Sequence, residues 1–253
     1  MPLEILKMLI DTIFCQIFNT YGNLGNAGLL HRYGFTEPEN PYDIVNIDYA
    51  LLTEYCMVVF SERHARNRIR LWRRYGCMPC ESQESEYFEV SASGKPDLEL
   101  IFCLYIVHLS DHAFNAIDMS LTRFEIAEGS SDDEVHWTDK FISSTKIACE
   151  KGGQKLRGRR KAVDVSAEGG RDLHEEFLTL EVCKALLWLC KRRDELYGTS
   201  SSLEEDIEHM RWVPRNEDDS KEYSALSLRV YERTILRRLN LFASEKIRAL
   251  QSA

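Results

Sequence analysis

Cys77 and Cys80 enclose Met78-Pro79, a spacing that could hold a metal or cycle between dithiol and disulfide. A zinc site needs four ligands, however, and no second pair at suitable spacing follows. A thioredoxin-type pair would open a helix after a strand, whereas this one follows an expected helix end at Gly76. His108 and His112 stand four apart, the spacing of two ligands on one helix face. Ser110-Asp111 interrupts any helix between them, so the pair reads as a surface or capping feature. The remaining histidines, at positions 31, 64, 136, 174 and 209, form no cluster, and no metal site is expected. No dinucleotide loop, phosphate loop, zinc-protease motif or nucleophile elbow is present. Tyr21, in the turn-rich segment Asn19-Thr20-Tyr21-Gly22-Asn23-Leu24-Gly25-Asn26, would by itself be a structural tyrosine.

The elements around these residues read as mainly helical. Ala27 to Tyr33 makes two turns, Gly34 supplies the C-cap, and Pro38 and Pro41 prevent continuation. From Asp48, an N-cap, apolar residues including Leu51, Leu52, Tyr55, Val58, Ile69 and Trp72 recur at helical steps towards Gly76. Arg63, Arg66, Arg68, Arg70, Arg73 and Arg74 read as a solvated helix face. Tyr87 to Val90 alternates as a strand, and Ser93-Gly94-Lys95-Pro96 is a turn. Asp97 caps a buried helix from Leu98 to Leu109, and Asp111 caps a short one holding Phe114 and Ile117. Asp172 is expected to cap a helix that runs through Tyr197 and closes at Gly198. Ser202-x-x-Glu205 is a capping box, and a last helix spans about Ser220 to Leu250. Glu204, Glu205 and Asp206 read as first-turn carboxylates favoured by the helix dipole.

Composition narrows the partners. The chain has 253 residues, a formal net charge of -9 and 44% hydrophobic residues, enough for a packed core. The acidic balance argues against general nucleic-acid binding and suits a basic, Lys-rich peptide. The longest apolar run, Leu100 to Leu109, is roughly half of what a membrane-spanning helix needs. The cysteines (eight in all) are scattered, several within apolar periodic segments, which suits a reducing compartment. Lys155, Arg157, Arg159, Arg160 and Lys161 could act as an import signal or contact an acidic partner.

One segment is distinctive. Ile17-Phe18-Asn19-Thr20-Tyr21-Gly22, then Asn26-Ala27-Gly28-Leu29-Leu30-His31-Arg32-Tyr33-Gly34-Phe35, then Pro38-Glu39-Asn40-Pro41 resembles the end of the SET domain in the family of Rubisco large-subunit and ribosomal-protein lysine methyltransferases. The resemblance implies S-adenosylmethionine-dependent methyl transfer to a lysine ε-amine of a protein substrate. By it, Tyr21 matches the catalytic tyrosine, Tyr33 the tyrosine lining the lysine channel, and Phe35 a residue that helps cover the cofactor. It also implies two domains. Residues 1–47 would end the SET domain, with 1–15 atypical, and 48–253 would form a helical substrate-binding domain with a long loop near 128–171. The expected fold is therefore mainly α, a C-terminal remnant of a β-rich SET domain followed by helices.

The family's Gly-rich cofactor loop and Asn-His cofactor motif are absent, and Phe14-Cys15-Gln16 replaces the usual turn before the strand. A truncated product, inactive alone, is the expectation. The alternative is a non-catalytic helical protein-binding module. A protein bearing the target lysine is the expected partner, with no nucleic acid and no membrane. The expected location is nucleus or cytosol, with chloroplast less favoured.

Overall fold

The computed structural model describes residues 21–75, 87–128, 177–198, 201–213 and 220–252. The readings at residues 1–20, Cys77-x-x-Cys80, the loop near 128–171, the basic run at 155–161 and the Asp172 cap lie outside these residues.

Among the described residues the chain forms eight helices and one two-stranded sheet, so the fold is mainly α. In chain order these are α1 (Asn26–Tyr33), β1 (Ile44–Asp48), α2 (Tyr49–Val59), α3 (Glu62–Tyr75) and β2 (Tyr87–Ser91). Then follow α4 (Leu98–Val107), α5 (Asp111–Glu128), α6 (Leu180–Glu195), α7 (Leu203–Trp212) and α8 (Ser220–Ser252).

The centre is α4. Every residue from Leu100 to Val107 is buried, as a helix apolar on all sides must be when packed from all sides. Helices α3 and α6 and strand β2 pack against it, α2 packs on α3 and α6, and α8 lies along α6. Phe102 meets Phe177 edge-on at 4.6 Å, a favourable geometry for their ring quadrupoles. No single helix among the described residues is long and apolar enough to cross a membrane.

Several caps sit where the sequence places them. The Asp97 side chain accepts from the Leu100 N–H at 2.7 Å, and its second oxygen accepts from the Glu89 N–H at 2.7 Å, so it joins β2 to α4. Ser202 and Glu205 form the reciprocal capping box. At the Ser93–Pro96 turn, Gly94 has φ 81°, and a Cβ there would lie 2.6 Å from the backbone of Arg238 in α8. Only glycine meets both constraints.

Several expectations are corrected. The helical run from Asp48 is two helices. Phe60 turns extended at φ -124°, and Ser61 Oγ accepts from the His64 N–H to begin α3. Asp48 occupies the N-cap position of α2 but makes no side-chain cap bond, since it also ends β1. Strand β1, which no period in the sequence marks, pairs antiparallel with β2 from Ile44↔Ser91 to Asp48↔Tyr87. Helix α5 starts at Asp111, with Ser110 Oγ accepting from Ala113 N–H. The helix that ends before Gly198 starts at Leu180, capped by Thr179 accepting from Val182 N–H, so the expected helix is not continuous through Thr179.

Long-range polar contacts explain two charged residues otherwise. Arg68 is buried, not part of the solvated face. Its guanidinium donates to Leu109 O at 2.9 Å and Asp111 Oδ1 at 2.7 Å and lies over the Phe114 ring. Asp206 is likewise buried, paired with Arg233 at 2.7 Å and Arg229 at 2.8 Å. Burial would raise its carboxyl, but the Ser201 hydroxyl and the two arginines outweigh that and hold it below the usual range. Arg233 also pairs with Asp194 at 2.9 Å, so this cluster ties α6, α7 and α8 together.

Candidate functional site: an exposed aromatic cluster

Helix α1 begins without help from its own N-cap. Gly25 occupies that position and has no side chain to offer. The first helical N–H, that of Asn26, donates instead to Asp43 Oδ1 at 2.6 Å, from a residue far along the chain. A carboxylate here satisfies an orphan donor and meets the positive end of the helix dipole.

The Asn26 side chain completes the brace. Its Nδ2 donates to Asp43 Oδ2 at 2.8 Å and to Glu37 O at 2.8 Å, while its Oδ1 accepts from Glu37 N–H at 2.6 Å. Asn40 adds a second clasp, donating to Leu24 O at 2.8 Å and accepting from Tyr42 N–H at 2.9 Å. The two crossings lie so close that a Cβ on Gly25 would sit 2.7 Å from Tyr42 O. Burial pushes the Asp43 carboxyl above its ordinary range, against the two hydrogen bonds from Asn26 that favour the anion.

This brace positions three rings. Gly34, with φ 79°, ends α1 by donating its N–H to Leu29 O and Leu30 O. The chain then reverses and brings Phe35 beside Tyr33. Tyr21 packs edge-on against both, with ring centroids 4.7 Å from Tyr33 and 5.2 Å from Phe35. Tyr33 and Phe35 are 6.4 Å apart. Tyr21 is 49% exposed, Tyr33 50% and Phe35 36%. The described structure therefore gathers all three site residues singled out from the sequence into one aromatic surface. Ring faces of this kind attract an ammonium or sulfonium cation, and the Tyr21 hydroxyl can orient an amine.

Asp43 had no place in the reading of the sequence, and Asn26 and Asn40 had no role in it. The signal for Asn26 and Asn40 was a polar residue in each of two short Gly/Pro-bounded motifs, and Asp43 carries none. Polar side chains that become fully buried beside turns are backbone braces more often than surface groups. Among the described residues, no group of three or more His, Cys, Asp or Glu is placed to hold a metal ion.

No known protein family's profile matches the chain. Over 61 residues it is 39% identical to ribosomal lysine N-methyltransferase 3 of Saccharomyces cerevisiae. The similarity covers 24% of this chain and 10% of that protein, so the chain matches about a tenth of its relative's length. The chain is thus similar, over this stretch, to part of a lysine N-methyltransferase.

Proposed function

We propose that the Tyr21–Tyr33–Phe35 surface is the lysine-receiving wall of a SET-type protein-lysine N-methyltransferase site. The single observation that carries this reading is the convergence of the three rings on one braced, half-exposed surface. The partial similarity to a ribosomal lysine methyltransferase supports it.

A lysine ε-amine must be neutral to act as a nucleophile. Covering it with aromatic surface removes water and lowers its pKa. In this reading Tyr21 orients the amine through its hydroxyl, and Tyr33 lines the approach of the lysine side chain. Phe35 covers the adjoining cofactor surface. The rings fit the cationic end of S-adenosylmethionine, which supplies the methyl group when bound. The contribution of the chain's own residues is mainly placement of the amine. A protein of the ribosome is the substrate class suggested by the relative's name.

The test uses S-adenosylmethionine labelled in its methyl group, with ribosomal proteins as acceptors. Any transfer the chain supports is expected to fall by ~100-fold or more in Tyr21→Phe, a loss typical of removing a positioned hydroxyl. Circular dichroism should be unchanged, because Tyr21 is half-exposed. Transfer preserved in Tyr21→Phe would contradict the role. A folded chain that binds a protein partner but neither binds nor uses the cofactor would favour the second reading, a non-catalytic helical binding module.

A further inference from the structure

Helix α3 divides its residues sharply. Ala65, Arg68, Ile69, Leu71 and Trp72 are buried, while Arg63, Arg66, Arg70 and Arg73 are exposed. Between its outer face and α2 runs a groove. Its floor is apolar, built from Thr53 and Met57 on α2 and Ala65 and Ile69 on α3. Its rim is basic: Arg66 and Arg70 stand on it, and Arg73 closes one end by lying 4.4 Å over the Tyr49 ring. Glu62 pairs with Arg66, but the lining still carries three arginines against one carboxylate. Beyond the groove, the end of α2 exposes Met57, Val58 and Val59, at 50%, 67% and 48%.

This local charge is opposite to that of the whole chain, whose net charge is -9. A basic rim over an apolar floor, in an otherwise acidic protein, selects for an acidic partner and repels a basic one. The floor distinguishes peptide from nucleic acid. Nucleic-acid binding uses aromatic faces for base stacking, and the one aromatic lining residue, Tyr49, is already covered by Arg73. Arg and Met, both present in this groove, are enriched at protein–protein contacts.

We infer that the α2–α3 groove docks an acidic amphipathic segment of a partner protein, its apolar side chains on Met57 and Ile69 and its carboxylates on Arg66 and Arg70. The inference is independent of the methyl-transfer reading, because the groove shares no residue with the Tyr21 cluster.

The probe is a fluorescein-labelled peptide with Leu and Phe at helical spacing and Glu between them. A Lys-for-Glu counterpart and a single-stranded oligonucleotide serve as comparisons. Fluorescence anisotropy should show binding of the acidic peptide only, weakening by about tenfold or more in Arg66→Gln/Arg70→Gln and steeply with salt. Met57→Asp should weaken it too, through the floor. Tyr21→Phe should leave it unchanged. Equal binding of the Lys peptide, an affinity indifferent to the arginine pair and to salt, or displacement by the oligonucleotide would overturn the inference. The salt series and the Lys peptide on the unaltered chain can still overturn the inference where a variant fails to fold.

Discussion

The segment from Tyr21 to Asp43 and the helix α4 are held together by opposite means. Around α4, every residue from Leu100 to Val107 is buried and apolar in character apart from the thiol of Cys103 and the hydroxyl of Tyr105. Within 21–43 the buried residues are Asn26, Leu29, Asn40 and Asp43, three of them polar. The core is therefore fixed by area removed from water, whereas the aromatic surface is fixed by a few directional hydrogen bonds. The arrangement leaves Tyr21, Tyr33 and Phe35 free to stay a third to a half exposed while their spacing is still set. A site built by apolar burial would have had to hide the rings it needs to present.

The largest effect that would test this contrast comes from the core. Phe102→Ala removes a fully buried ring from contact with Phe177 and is expected to cost about 3–5 kcal/mol in urea unfolding. A loss below ~1 kcal/mol would mean that α4 is not the centre of the fold.

Next is the polar group joining the sheet to that core. Burial pushes the Asp97 carboxyl up to about 7 even though two N–H groups favour its anion. Its folded-state value lies above the unfolded one, so its contribution to stability is complete below about pH 4 and is lost as pH rises through about 7. Unfolding free energy should fall between about pH 4 and pH 7, by a few kcal/mol at most. In Asp97→Asn, which cannot ionise, the slope should flatten. An equal slope in both proteins would assign the titration to another group.

The smallest effect is the most local. Asn26→Ala deletes a side chain that makes three hydrogen bonds and is expected to cost about 1–3 kcal/mol. Hydrogen exchange should quicken across 21–43 while 98–107 stays protected. Equal loosening of both regions would show that the brace and the core are one cooperative unit.

The readable parts of the fold were those written in a few neighbouring residues. Gly34, the Asp97 cap, the Ser202–Glu205 box and Gly198 each act within one turn, and each was legible. Strand β1 was not, because Ile44-Val45-Asn46-Ile47-Asp48 is short and becomes a strand only by pairing with β2. The break at Phe60-Ser61 was hidden by apolar residues that keep helical spacing across it. Arg68 and Asp206 looked like surface charges because their partners lie far along the chain. The proximity of Tyr21, Tyr33 and Phe35 followed from a family resemblance and not from their spacing. The residues that set it, Asn26 and Asp43, draw their meaning from a contact that no local pattern encodes.

The most direct test of the central claim is a titration of a lysine-containing peptide, followed by NMR of the aromatic ring resonances. If the three rings form one lysine-receiving surface, the signals of Tyr21, Tyr33 and Phe35 should shift together along a single saturation curve, and a glutamine-for-lysine peptide should leave them still. Rings that do not respond while signals elsewhere move with the same peptide would contradict it.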